Sequence, residues 1–146
     1  MEIKEAIIIN APLKKVWNTF TDLTCWINWN SVMTDVNSDR NYLTGGYSVK
    51  CNFRPFSFPI IIKIDVEEVI PYERIVWSAR KKGLSARHEF IFKNHEKGVM
   101  VTSREIFRGL LTKASGFLLP KKKMINLTTT FLKDLKTASE KSCRAF

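Results

Sequence analysis

From Tyr47 to Phe107 the apolar residues fall mostly at every second position, and from Met124 to Ala138 they recur at three and four. This change of period constrains the fold more than any other feature of the chain. Period two sends alternate side chains to opposite faces of a strand, whereas recurrence at three and four draws one stripe along a helix. Tyr47, Val49, Cys51 and Phe53 share a face after the Gly45-Gly46 turn. Ile60, Ile62, Ile64 and Val66 share a face opposite Lys63, Asp65 and Glu67. Beyond a turn at Pro71-Tyr72, Ile75, Trp77 and Ala79 continue the pattern, followed by His88, Phe90 and Phe92. The stretch "NHEKG" has hairpin turn chemistry. After it, Val99, Val101, Ser103, Glu105 and Phe107 line up on one face. The helical stripe of Met124, Leu127, Phe131, Leu135 and Ala138 predicts a long amphipathic helix ending near Ser142. Pro120 should kink it or set off a leading segment over residues 110–119.

The N-terminal part opens with a strand from Ile3 to Asn10. Asn10 can cap a helix, and Pro12 suits a first helical turn, where a missing N–H has no partner to lose. Leu13, Val16, Trp17 and Phe20 then form one apolar face. "LTCWINWNSV" reads as a second short helical turn, with Trp26, Ile27 and Trp29 packed. Strands joined by short turns favour an antiparallel meander. Such a sheet must cover its apolar face, and the terminal helix is the element long enough to do it. The expected fold is therefore α+β. A curved antiparallel sheet of about seven strands wraps a long C-terminal helix, with two short helices after strand 1 and room for a cavity between sheet and helix. No repeat or linker interrupts the 146 residues, so residues 1–146 are expected to form one domain. A domain of this size buries roughly 70% of its unfolded surface and needs no staple.

With 24 basic and 14 acidic residues the formal net charge is +10, an excess that can attract nucleic acid or anionic lipid. Its densest run is Lys121-Lys122-Lys123, and Lys133 and Lys136 lie further along the same helix. No nucleic-acid motif accompanies the charge, so no specific nucleic-acid partner is expected. Cys25, Cys51 and Cys143 have neither CxxC nor metal-ligand spacing, which fits reduced thiols in a cytoplasmic protein. The opening "MEIKEAIIINAP" is too short and too acidic for a signal peptide, and no apolar run approaches the ~20 residues of a membrane span. No Ser-His-Asp order, metal cluster or Gly-rich phosphate loop is present, so no cofactor and no metal are expected.

Three stretches together resemble the START-like (SRPBCC) superfamily, the helix-grip fold of the polyketide cyclase/dehydrase and lipid-transport family. "INAPLKKVWNTFTDLTCWINWN" is similar to its opening "I-x-A-P-x-x-x-V-W … D … W-x-x-W-N". "VEEVIPYERIVW" is similar to "V-x-E-V-x-P-x-x-R-x-x-W", and "RHEFIFKNHEKGVMVTSREIFRG" to "x-H-x-F-x-F … G-x-x-V-x-x-x-E-x-F-x-G". The resemblance spans nearly the whole chain. It implies a cavity for a sterol, lipid, quinone, hormone or polyketide; some relatives catalyse aromatic cyclisation and others act with chaperones. This chain carries Asn30-Ser31 where many relatives have Asn-Pro, at the loop expected near the cavity mouth.

Strand parity turns His88 and Glu105 to the covered face with the aromatics. A carboxylate there could act as a general acid or base, and an imidazole exchanges a proton near neutrality. Both could instead be polar anchors for a ligand, or structural groups, with Glu105 paired to Arg87, Arg104 or a helix end. The candidate ligand-binding set is Phe53, Ile62, Ile64, Trp77, His88 and Phe90, with Phe92, Ser103, Glu105, Phe107 and Phe131. Binding or transport of a hydrophobic small molecule is the leading expectation. The alternatives are a cyclase/dehydrase-type enzyme using Glu105 or His88 for proton transfer, and a basic protein contacting an anionic membrane. His95 lies in the hairpin turn and is expected to face solvent.

Overall fold

The computed structural model describes residues 1–55, 58–81, 83–109 and 120–141. The chain begins with strand β1 (Glu2–Ile9), helix α1 (Leu13–Thr21), a 3-10 turn (Leu23–Cys25) and the short helix α2 (Trp26–Trp29). Strands β2 (Thr34–Ser38), β3 (Ser48–Phe53), β4 (Ile60–Ile70), β5 (Arg74–Lys81), β6 (Leu84–His95) and β7 (Gly98–Gly109) follow, and helix α3 (Lys121–Glu140) closes the described chain. The strands form one seven-stranded sheet in the order β1-β7-β6-β5-β4-β3-β2, antiparallel throughout. The α+β helix-grip architecture expected from the change of period is the architecture found.

Each strand after β2 pairs with its sequence neighbour because the connections are tight. The β6–β7 hairpin pairs without a break from Leu84↔Gly109 to His95↔Gly98. Its turn depends on Gly98, at φ +129°, where a Cβ would lie 2.1 Å from the Ile9 carbonyl oxygen. A side chain is excluded there both by backbone conformation and by β1. β1 returns to the far side of β7 in register from Glu2↔Ile106 to Ile9↔Val99.

The covered face of the sheet carries two apolar cores. The larger joins α1, α2 and the C-terminal half of α3 to the middle strands. At its centre Phe20 is fully buried, 4.8 Å from Phe90, 5.5 Å from Phe92 and 5.6 Å from Phe131, all edge to face. This is the arrangement aromatic quadrupoles favour. The smaller core is Ile3, Phe107 and Met124, beneath the first turn of α3. Helix α3 buries Met124, Phe131 and Leu135 of the expected stripe, together with Thr128, Leu132 and Ser139, while Leu127 and Ala138 are half-buried at its margin.

Three local expectations are corrected. Pro12, not Asn10, is the residue that caps α1, and it does so without a side-chain bond. The Asn10 backbone N–H instead donates to the Glu140 carboxylate at 2.8 Å, tying the start of α1 to the end of α3. Ile27 is not packed: it is 90% exposed, because α2 makes only one turn and Trp26 and Trp29 occupy its inner side. Helix α3 begins immediately after Pro120, which serves as its cap, so the proline marks a start and not a kink. The leading segment expected over residues 110–119 lies outside the described residues, as do Ser142 and Cys143.

Candidate functional site

Ala79 on β5 and Ala86 on β6 are direct cross-strand partners. Two methyl groups facing α3 leave space that larger side chains would have filled. A cavity of about 480 Å³ occupies it, between the two cores, with both alanines in its wall. Sites for small organic ligands typically measure ~300–1,000 Å³. Strands β3 to β7 form one wall, and Met124, Leu127, Thr128 and Phe131 of α3 form the other.

One row of residues crosses the sheet through the cavity. Trp77, His88 and Glu105 are successive cross-strand partners on β5, β6 and β7. His88 is 9% exposed, and its ring stacks on Phe90 at 4.1 Å and meets Trp77 edge-on at 5.7 Å. Its Nε2 lies 2.6 Å from the Ser103 hydroxyl, and its Nδ1 lies 3.4 Å from a carboxylate oxygen of Glu105. The Glu105 side chain is 13% exposed and forms part of the cavity wall. A buried imidazole bonded at one nitrogen and facing a carboxylate at the other is fixed in orientation at the cavity wall.

The arginines considered as partners of Glu105 lie elsewhere. Arg104 pairs with Glu2 at 2.9 Å and Arg87 faces Glu67 at 3.9 Å, both on the exposed side of the sheet. Nine of the eleven candidate ligand residues line the cavity: Phe53, Ile62, Ile64, Trp77, His88, Phe90, Glu105, Phe107 and Phe131. Phe92 and Ser103 lie outside the cavity wall. Phe92 sits 5.0 Å from Trp17 and closes the core beneath α1. Ser103 is fully buried beneath the His88 ring and acts on the site only through that ring. The Ser-His-Glu order is thus not a nucleophilic triad, because no substrate reaches the Ser103 oxygen.

Sequence reading missed Val32 and Met33, which enter the wall from the loop before β2. The Asn30 side-chain oxygen accepts their N–H groups at 3.1 and 2.9 Å. Ser31 fastens the same loop to α3: its N–H and hydroxyl donate to the Asp134 carboxylate at 3.0 and 2.6 Å. The serine that replaces the familiar proline therefore makes a bond that proline could not. No periodicity marks this loop, so only the "NS" pair could have signalled it. Among the described residues no group of three or more His, Cys, Asp or Glu side chains is placed to hold a metal. His95, in the β6–β7 turn, accepts the Lys97 N–H at 3.1 Å, away from the site.

An antiparallel sheet gripping a terminal helix around an apolar cavity places the protein in the START-like superfamily. Residues 10–139 match the family described as Activator of Hsp90 ATPase homolog 1-like protein, and the chain belongs to that family. Among solved structures, the hypothetical protein jhp0584 of Helicobacter pylori is similar, with a TM-score of 0.77 and 18% identity over 96% of this chain and 88% of that one. TTHA0849 of Thermus thermophilus has a TM-score of 0.78 and 14% identity over 95% of this chain and 97% of its own. DynU16, from the dynemicin biosynthetic locus, has a TM-score of 0.71 and 15% identity over 96% of this chain but 47% of its own. At such identities the likeness is one of fold alone. A comparison with curated protein sequences gave no match.

Proposed function

We propose that this protein binds an apolar small molecule, a lipid, quinone or polyketide-like aromatic, in the cavity between sheet and terminal helix. The observation that carries this reading is the cavity itself: about 480 Å³, walled mainly by aliphatic and aromatic side chains, with His88 and Glu105 side by side in one wall. An apolar body would displace water from the hydrophobic wall, while a hydroxyl or carbonyl on it bonds the polar pair. The family is described by an activator of the Hsp90 ATPase; an internal apolar cavity favours a small ligand over a protein partner here. DynU16 comes from a biosynthetic locus, and a role beside small-molecule synthesis is compatible with the same site.

The experiment is native mass spectrometry of the freshly purified protein, with organic extraction of anything bound, on the wild type and on Ala86→Phe. A stoichiometric apolar ligand in the wild type, lost from the folded variant, is the expected result. A ligand retained at full occupancy by Ala86→Phe would place binding elsewhere.

A second reading is favoured by the fixed Ser103–His88–Glu105 chain. A group held in orientation at an apolar wall suits proton exchange with a bound substrate, as in cyclisation or dehydration. Its signature is a bell-shaped pH–rate profile that disappears in Glu105→Gln. Full activity in that variant would remove Glu105 from the chemistry.

A further inference from the structure

We propose that the mouth of the cavity is a docking surface for an anionic lipid bilayer, from which the apolar ligand enters and to which it returns. Of the residues lining the cavity, the exposed ones are Phe58, Arg80 and Lys81. They gather at one edge of the fold. Phe53 pairs with Ile60 there, Lys81 pairs with Leu84, and Leu84 pairs with Gly109. The first turn of α3 belongs to the same edge, because Met124 packs with Phe107, Leu84 and Ala86. Lys121, Lys122 and Lys123, in the turn that leads to Met124, belong to the same edge.

Charge and apolar surface coincide at this edge. Arg54, Arg80, Lys81, Arg108 and the three lysines of α3 are all exposed. Among the described residues of 54–64, 74–88, 106–109 and 120–133 there is no Asp or Glu. Glu2, at the start of β1 on this edge, is committed to Arg104 at 2.9 Å. Phe58 is 54% exposed and Ile61 64% exposed among these cations. Basic residues ringing exposed aromatic and aliphatic side chains match the two layers of a membrane surface, anionic headgroups above and acyl chains below. Aliphatic side chains have no use against the phosphates of a nucleic acid, which favours the bilayer over that polyanion.

The first turn of α3 contains no acidic residue, and its three cations sit where the positive end of the helix dipole repels them. An anionic surface in front of that turn reverses the sign, since both the dipole and the lysines then attract it. Among the described residues no helix is long and apolar enough to cross a membrane, so the contact proposed is peripheral.

The inference builds on the ligand-binding reading only for its purpose, and the two fail separately. Co-sedimentation is measured with vesicles of phosphatidylcholine alone and of equal parts phosphatidylcholine and phosphatidylglycerol. Binding of cis-parinaric acid is measured without vesicles. The wild type is expected to bind the anionic vesicles, to release them at about 1 M salt where the screening length is ~3 Å, and to leave neutral vesicles unbound. Lys121→Gln/Lys122→Gln should weaken vesicle binding about 30-fold, two headgroup contacts of ~1 kcal/mol each, and keep its affinity for the fatty acid. Lys93→Gln/Lys97→Gln, with the same change of net charge at the opposite end of the sheet, should weaken it less than about threefold. Phe58→Ser should reduce binding to anionic vesicles without restoring any to neutral ones. Equal losses in the two lysine pairs, equal binding to both vesicles, or binding to duplex DNA in place of vesicles would each overturn the docking surface. Loss of fatty-acid binding in every protein, with vesicle binding intact, would overturn the cavity reading alone.

Discussion

The Ser103 hydroxyl lies 2.6 Å from Nε2 of His88, beneath the imidazole and shut off from the cavity that the same ring helps to line. The bond divides the labour between neighbouring residues of β7. Ser103 fixes the ring from below, and Glu105, two positions on, faces its other nitrogen at 3.4 Å. Ser103→Ala should therefore destabilise the protein by ~1–3 kcal/mol, the cost of leaving a buried polar atom unpaired, as read from urea unfolding. Glu105→Gln should leave stability less affected and weaken a ligand that donates a hydroxyl to this carboxyl roughly tenfold, the loss of one hydrogen bond to the carboxyl. The reverse pattern, with Ser103→Ala impairing the ligand and Glu105→Gln only stability, would exchange the roles assigned here.

The pairing of Ala79 with Ala86 makes a second prediction. Because the two methyl groups face one another across β5 and β6, a single larger residue occupies the space that a ligand would use. Ala86→Phe should fold with an unchanged or higher melting temperature, since its ring extends into a void. Its affinity for an apolar fluorescent probe should fall at least about tenfold. A fall in melting temperature with probe binding intact would mean that the cavity closes around the wild-type alanines in solution.

The sequence carries the sheet and the terminal helix because both are written as periods. Residues 60–66 and 99–107 alternate, and parity alone puts His88 and Glu105 on the covered face with Phe90 and Phe107. Parity cannot say how deep along a strand the helix reaches. Phe92 shares the face of Phe90 yet lies under α1, because Trp17 and Phe20 descend onto it. Ser103 shares the face of Glu105 yet is sealed by the His88 ring, a contact between diagonal neighbours on two strands. Val32 and Met33 reach the cavity from a loop shaped by Asn30 and tied down by the Ser31–Asp134 bond, and side chains 103 positions apart leave no periodic trace. Ile27 misled for a related reason: on a one-turn helix the face is set by Trp26, not by a repeating pattern.

Thiol chemistry offers a probe of the β3 wall. Cys51 is 1% exposed, and burial alone pushes its pKa up to about 12. A thiol that holds its proton is a poor nucleophile. Cys51 should resist a soluble aromatic disulfide reagent in the folded protein at pH 8 and react fully in denaturant. Peptide mapping after labelling would assign it. Rapid modification of folded Cys51 would require that β3 opens from β4.

Gly98 supports a sharper structural prediction. Its φ of +129° and the Ile9 carbonyl oxygen, 2.1 Å from where a Cβ would stand, both exclude a side chain. Gly98→Ala must push β1 away from the β6–β7 turn, so it should cost ~1–3 kcal/mol in chemical denaturation, in the range of overpacked sites. A loss below ~0.5 kcal/mol would show that β1 yields freely there, as surface positions do.

Glu140 makes the connection between α1 and α3 dependent on pH. The Lys136 ammonium and the Asn10 backbone N–H hold its carboxyl below the ordinary value of 4.5. A carboxyl with a lowered folded-state pKa favours folding only while it is charged. Its contribution is fully present above the unfolded value and is lost as pH falls through the lower folded value. Glu140→Gln should therefore be less stable than the wild type at pH 7, and the difference should shrink below about pH 4 and vanish once both forms are neutral. The loss at pH 7 should be small, because the pair is largely exposed and salt screens it. Thermal melts of both proteins from neutral to acid pH, repeated at high salt, measure it. A gap that widened toward acid pH would reverse the sign and show that Glu140 is held in its protonated form.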